Sequence, residues 1–122
     1  YLLAVLTPGD TPETVATLVA ALERLPSDGG VPALPPEPPW PEVVMTPREA
    51  YLGRKQAVPL AESVGRIAAE MVAPYPPGIP VVAPGERLTR DVVDYLSFAA
   101  RAGWHLQGPA DPLLRTIQVV VE

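Results

Sequence analysis

Ala73-Pro74-Tyr75-Pro76-Pro77-Gly78-Ile79-Pro80, continued by Val81-Val82-Ala83-Pro84-Gly85-Glu86, is the stretch on which the reading of this chain turns. Each proline lacks an N–H and fixes its own φ while restricting the residue before it, so neither a helix interior nor a central strand can hold this segment. It reads as a rigid, extended connector that loses little chain entropy on ordering and suits the fixing of one ring, that of Tyr75. A proline-rich surface turn or a polyproline ligand for a partner fits the same spacing.

Elements flank it on both sides. Leu2-Leu3-Ala4-Val5-Leu6 is an apolar run ended by Thr7-Pro8-Gly9-Asp10, the pattern of a strand buried on both faces. Thr11 as N-cap, Pro12 at the first helical position and Glu13 near the positive dipole end open a helix. Its stripe of Val15, Leu18, Val19, Leu22 and Leu25 calls for a sheet to pack on, and Pro26 and Gly29-Gly30 stop it. Residues 31 to 42 are too proline-dense for regular structure and read as a semi-rigid spacer anchored by Trp40. An SH3-type ligand is the alternative, without the basic residue usual beside such motifs.

Thr46-Pro47-Arg48-Glu49 is a capping box opening a short helix that ends at Gly53. Residues 57 to 72 fit either period: Leu60, Val64, Ile67 and Met71 suit a helix, whereas Ile67, Ala69 and Met71 in alternation suit a strand. A turn at Ala61 to Gly65 followed by an extended Ile67 to Val72 is the favoured reading. Thr89 caps a second long helix with Asp91 in its first turn, a buried stripe of Val92, Leu96, Ala99 and Ala100, and Gly103 as the left-handed terminator. Ile117, Val119 and Val121 alternate in a terminal strand. The fold class is α+β, a small sheet with two principal helices and an irregular proline-rich middle.

Composition narrows the chemistry. The net charge of −5, with only 9 Lys and Arg among 122 residues, argues against nucleic acid or an anionic membrane as partner. Cysteine is absent and histidine occurs once, which leaves no parts for a zinc finger, a thiol nucleophile or a disulfide framework. His105 reads as a boundary residue between helix and strand. Lys55, the sole lysine, is the one candidate for a Schiff base, and its polar neighbours offer nothing to lower its pKa. The chain opens on Tyr1 with a strand at once, as a piece of a longer polypeptide would.

Four motifs in order carry a family resemblance: Thr46-Pro47-Arg48-Glu49-Ala50-Tyr51, Val58-Pro59-Leu60-Ala61-Glu62-Ser63-Val64-Gly65-Arg66-Ile67-Ala68-Ala69-Glu70, Pro74-Tyr75-Pro76-Pro77-Gly78-Ile79-Pro80 and Pro84-Gly85-Glu86. Together with the Asp111-Pro112 and Thr116-Ile117-Gln118-Val119 tail, they resemble the C-terminal region of the bacterial ornithine/lysine/arginine decarboxylases, fold-type I pyridoxal-phosphate enzymes. Ala69 stands where serine is common in that family and Tyr51 where phenylalanine is. Residues 43 to 122 would be that C-terminal domain and 31 to 42 a connector. Residues 1 to 30 resemble the subdomain after the cofactor domain. The segment from Pro59 to Glu70 alone is also similar to the opening of molybdopterin molybdenumtransferases, which lack the Tyr-Pro-Pro-Gly-Ile-Pro continuation.

The decarboxylase resemblance implies a reaction this chain cannot run alone. The family holds pyridoxal phosphate on a lysine that follows a histidine, and no His-Lys pair occurs here. The cofactor would be bound mainly by the missing domain of the same polypeptide, with none held by this chain, which is expected to be inactive by itself. Implied further are a basic amino-acid substrate, a homodimer or higher homo-oligomer and a cytoplasmic location. Tyr75 with Pro76, Pro77 and Gly78 would line the substrate entrance. Glu70 would set a carboxylate near the substrate's distal cation or order that turn; its alternative is to pair with Arg66 or Arg87. Glu86 is expected to accept N–H bonds at the start of the Thr89 helix. A binding module without enzymic parentage, using its polyproline segments or its acidic surface, is the competing class.

Overall fold

A computed structural model describes residues 3–26, 34–75 and 77–121, and the chain divides into two compact units, Tyr1–Ala33 and Leu34–Glu122. In the first unit, helix α1 (Pro12–Glu23) starts as its sequence dictates. Thr11 accepts the Thr14 N–H, Pro12 occupies the first turn, and the Thr14 hydroxyl returns to the Thr11 N–H to close a capping box. The strand expected before it is not formed. Residues 3 to 6 take no ladder partner among the described residues, and Leu3 and Val5 are exposed; an extended segment becomes a strand only where a neighbour takes up its N–H and C=O groups. The apolar stripe of α1 likewise buries no residue. The Gly29-Gly30 stop lies outside the described residues.

The second unit is built on antiparallel pairs. Helix α2 (Pro47–Leu52) carries the expected capping box between Thr46 and Glu49. Strand β1 (Lys55–Pro59), not expected from its residues, pairs with β4 (Thr116–Val120) from Lys55↔Val120 to Pro59↔Thr116. A 3-10 turn at Leu60–Glu62 follows. The extended run favoured for Ile67 to Val72 is interrupted: Ile67, Ala68 and Val72 make single bridges and the chain bends at Ala69 and Glu70, where the segment lies against the other edge of β4, Ala69 donating to the Gln118 carbonyl and Val120 to that of Ile67. Arg66 adds a bond from its guanidinium to the Val120 carbonyl, 3.2 Å.

Helix α3 (Arg90–Arg101), capped by Thr89 as read, packs its stripe of Val92, Val93, Leu96 and Ala99 into the core with Leu88, Val72, Val82, Ile117 and Val119. A second ribbon pairs β2 (Ala73–Tyr75) with β3 (His105–Gln107). The small sheet is thus two separate two-stranded ribbons, with isolated bridges in the segments between them. No helix among the described residues is long and apolar enough to cross a membrane.

Residues 34 to 42 belong to this unit. The Glu42 carbonyl accepts the Arg87 N–H, the Glu42 carboxylate pairs with the Arg87 guanidinium at 2.9 Å, and Val43 bridges Glu86. Trp40 does not anchor the spacer, being 86% exposed. Pro35, Pro38 and Pro41 are the half-buried residues instead, a spacing of three that matches one face of a polyproline II helix and leaves the indole on another. Glu86 is structural, though at a different place from that expected: its carboxylate takes the Ala83 N–H at 2.7 Å and closes its own Pro-Gly turn, away from the Thr89 cap.

Between β3 and β4, Leu114 sits at φ 50 although it is a bulky residue, a conformation that persists only when its surroundings impose it. Asp111 does so. One carboxylate oxygen accepts the Leu113 N–H, the other those of Arg115 and Thr116, and the Leu114 side chain is buried. Burial pushes the Asp111 carboxyl up, but the N–H bonds from Leu113, Thr116 and Arg115, with the Arg115 guanidinium, outweigh it and hold the group below its ordinary 3.8. Its contribution to stability is therefore complete above that ordinary value and is lost as pH falls through the depressed one. Thermal melts stepped down through pH 4 to 2 should show Asp111→Asn losing less stability than the parent chain; parallel curves would refute the loop's dependence on this ionisation.

Candidate functional site at the Tyr75 turn

The β2–β3 ribbon sets Tyr75 opposite His105. Their rings meet edge to face, centroids 6.3 Å apart and planes at 86°, a favoured aromatic arrangement. Pro74 is tolerated in β2 because a two-stranded ribbon leaves one edge without a ladder. Beyond Tyr75 the chain reverses, with the Gly78 N–H donating to the Pro74 carbonyl at 2.9 Å. Gly78 has φ +86, and a Cβ there would stand 3.3 Å from the Tyr75 ring. The glycine therefore lets the backbone turn and the ring lie over it. Tyr75 remains 53% exposed, a phenol held on two sides and open on a third. Pro77 and Gly78 share that turn, whereas Pro76 lies outside the described residues.

Glu70 is elsewhere. It is 6% exposed, and its two oxygens accept the Ala110 N–H at 2.8 Å and the Gln118 N–H at 2.9 Å. It does not pair with Arg66, which bonds the Val120 carbonyl, or with Arg87, which bonds Glu42. The physical reason is that the loop after β3 and the middle of β4 both present N–H groups to this buried side chain, and backbone donors left unmet there would be costly. Glu70 thus fastens the far end of the ribbon to β4.

Lys55 stands on β1 with its Nζ 4.0 Å from the Tyr51 ring centroid, and nothing encloses it. Its surroundings do not fit a lysine that holds pyridoxal phosphate. Among the described residues, no cluster of three or more His, Asp or Glu could hold a metal ion.

His105 was the group that sequence reasoning passed over, since only the β2–β3 register brings it to Tyr75. A cavity of about 390 Å³ on the same unit was also not foreseen; it is walled by Pro74 and Pro77 on the turn, Tyr95 and Trp104 on and after α3, and Glu37 and Trp40 on the proline segment. Tyr95 and Phe98 both meet the Trp104 ring edge to face, at 5.9 and 5.8 Å.

Residues 37–111 match the family pattern described as Orn/Lys/Arg decarboxylase, C-terminal domain. The chain belongs to this decarboxylase family. The arginine decarboxylase of Bacillus subtilis is 39% identical over 127 residues, which take in 99% of this chain and 26% of that protein. The lysine decarboxylase LdcA of Pseudomonas aeruginosa is 56% identical over 66 residues, 48% of this chain and 9% of its own length. Among solved structures, the Francisella novicida lysine decarboxylase LdcF superposes with a TM-score of 0.57 at 33% identity, covering 66% of this chain and 14% of that one. The chain spans about a quarter of the length of the arginine decarboxylase it matches from end to end. The Pro59 to Glu70 motif that suggested a molybdenumtransferase lies inside the matched decarboxylase segment, and a module without enzymic parentage is set aside by the same match.

Proposed function

We propose that this chain is the C-terminal part of a pyridoxal-phosphate-dependent decarboxylase of arginine, lysine or ornithine, and that its Tyr75 turn forms one side of the substrate entrance. Family membership carries the first half, with relatives named as arginine and lysine decarboxylases. The cofactor belongs to polypeptide outside these residues, since Lys55 has no site for it. Agmatine, cadaverine or putrescine is the corresponding product, a homodimer or larger homo-oligomer the working unit, and the cytoplasm its place.

The entrance role rests on the half-exposed Tyr75 phenol, kept rigid by His105 and Gly78. A group placed before the substrate arrives loses little entropy on contact, so its binding energy is retained. The test uses the full-length polypeptide of the same gene, assayed for CO2 release from each of the three amino acids with and without added pyridoxal phosphate. Cofactor-dependent release from one of them is expected, and release from none overturns the reading. In that protein Tyr75→Ala should lower kcat/KM by about tenfold, the range of a lost pocket contact. An unchanged kcat/KM would remove Tyr75 from the entrance while leaving the enzyme class intact.

A further inference from the structure

The cavity behind the Tyr75 turn has features that the entrance role proposed for Tyr75 does not use. Its walls are proline rings, three aromatic rings and the aliphatic side chains of Leu34, Ile79 and Val81, and its volume of about 390 Å³ falls in the range of small-molecule sites. Both tryptophans of the chain, Trp40 and Trp104, line it together with Tyr95. Among the described residues Glu37 is the one charged side chain in the lining, which holds no lysine or arginine. Neither ion pair found among the described residues involves Glu37. Its charge reaches the wall: burial raises the Tyr95 hydroxyl above its ordinary 10.0, and the Glu37 carboxylate raises it further. Trp40 is exposed at 86% with three prolines beside it, a large apolar ring presented to solvent at the rim.

Aromatic faces carry negative quadrupole charge, and rings around a cavity with a carboxylate and no opposing cation form the environment that recognises an organic ammonium ion. We infer that this cavity binds a small organic ammonium ion, its charge facing Glu37 and its alkyl groups packed on Trp104, Tyr95 and the prolines. An inorganic cation would forgo the apolar walls, and a neutral ligand would leave the field of Glu37 unused.

Choline and its uncharged carbon isostere 3,3-dimethylbutan-1-ol are the probes, titrated by calorimetry into the full-length protein at constant ionic strength. Choline has no primary amine and cannot condense with a carbonyl cofactor, so failure here leaves the decarboxylase reading untouched, and the reverse. Choline should bind at least about tenfold more tightly than the isostere, and Glu37→Gln should weaken choline by about tenfold while leaving the isostere unchanged. Trp40→Ala, at an exposed position that does not support the core, should weaken choline severalfold. Absence of choline binding, equal affinity for the isostere, or a Glu37→Gln variant with parent affinity would each overturn the inference.

Discussion

Alanine at Gly108 is expected to lower stability by about 3 kcal/mol, a loss of roughly 12 to 24 °C in the melting midpoint for a unit of this size. Two costs add. Gly108 has φ +99, and a side chain in the left-handed half of φ/ψ space costs about 1 to 2 kcal/mol. A Cβ would also stand 2.3 Å from the Met71 carbonyl oxygen, and since that atom is backbone, the chain just ahead of β2 would have to move. The entropy that alanine removes from the unfolded chain, about 0.4 to 1 kcal/mol, offsets only part of this. Gly65 serves as the internal comparison, having φ +84 with nothing within 4 Å of its would-be Cβ. Gly65→Ala should cost only the backbone term. Equal melting points for the two variants would show that the approach of Gly108 to Met71 has no energetic weight.

Removing the Glu70 carboxylate should cost about as much. Glu70→Ala leaves the Ala110 and Gln118 N–H groups without their acceptor, and bonds to a charged group are worth about 1.5 to 3 kcal/mol each, with orphaned donors adding to the loss. A fall of about 3 kcal/mol is expected. Glu70→Gln keeps one acceptor and turns an N–H2 toward the other donor, for about 2 kcal/mol. Denaturant titration measures both. The full-length enzyme separates positioning from contact: a Glu70 that only fastens the ribbon should, on Glu70→Gln, lower kcat/KM for arginine, lysine and ornithine by the same factor. Parent-like stability combined with an altered preference among the three would mean that Glu70 meets the substrate.

The helices of this chain were legible because their signals are local. Thr11-Pro12, Thr46-Pro47 with Glu49, and Thr89 with Asp91 place side-chain acceptors where the first N–H groups need them, and all three caps are present. Strands were harder. β1 is short and mostly exposed, Lys55-Gln56-Ala57-Val58-Pro59, and owes its form to β4 more than to any pattern of its own. Residues 3 to 6 show the converse, an apolar run without a partner and without a strand. At the site, the rigid Tyr75 turn was readable from prolines and glycine, since those residues restrict torsions by themselves. The partners of Glu70 were not, because nothing in a sequence says which distant N–H groups a carboxylate will meet. His105 and the Trp104 cavity depended in the same way on the register of β3.

The position of β4 bears on how the second unit is made in time. β4 takes β1 on one edge and the segment at Ile67–Ala69 on the other, and Ile117 and Val119 complete the core. The rest of the second unit therefore waits on this late strand, and a pairing such as Lys55 with Val120 must close a long loop before it returns any energy. During synthesis this unit should stay open, its apolar stripe on α3 unprotected, until Thr116–Val120 has cleared the ribosome. A nascent chain stalled before that point should be cut readily by protease, and one released just beyond it should resist.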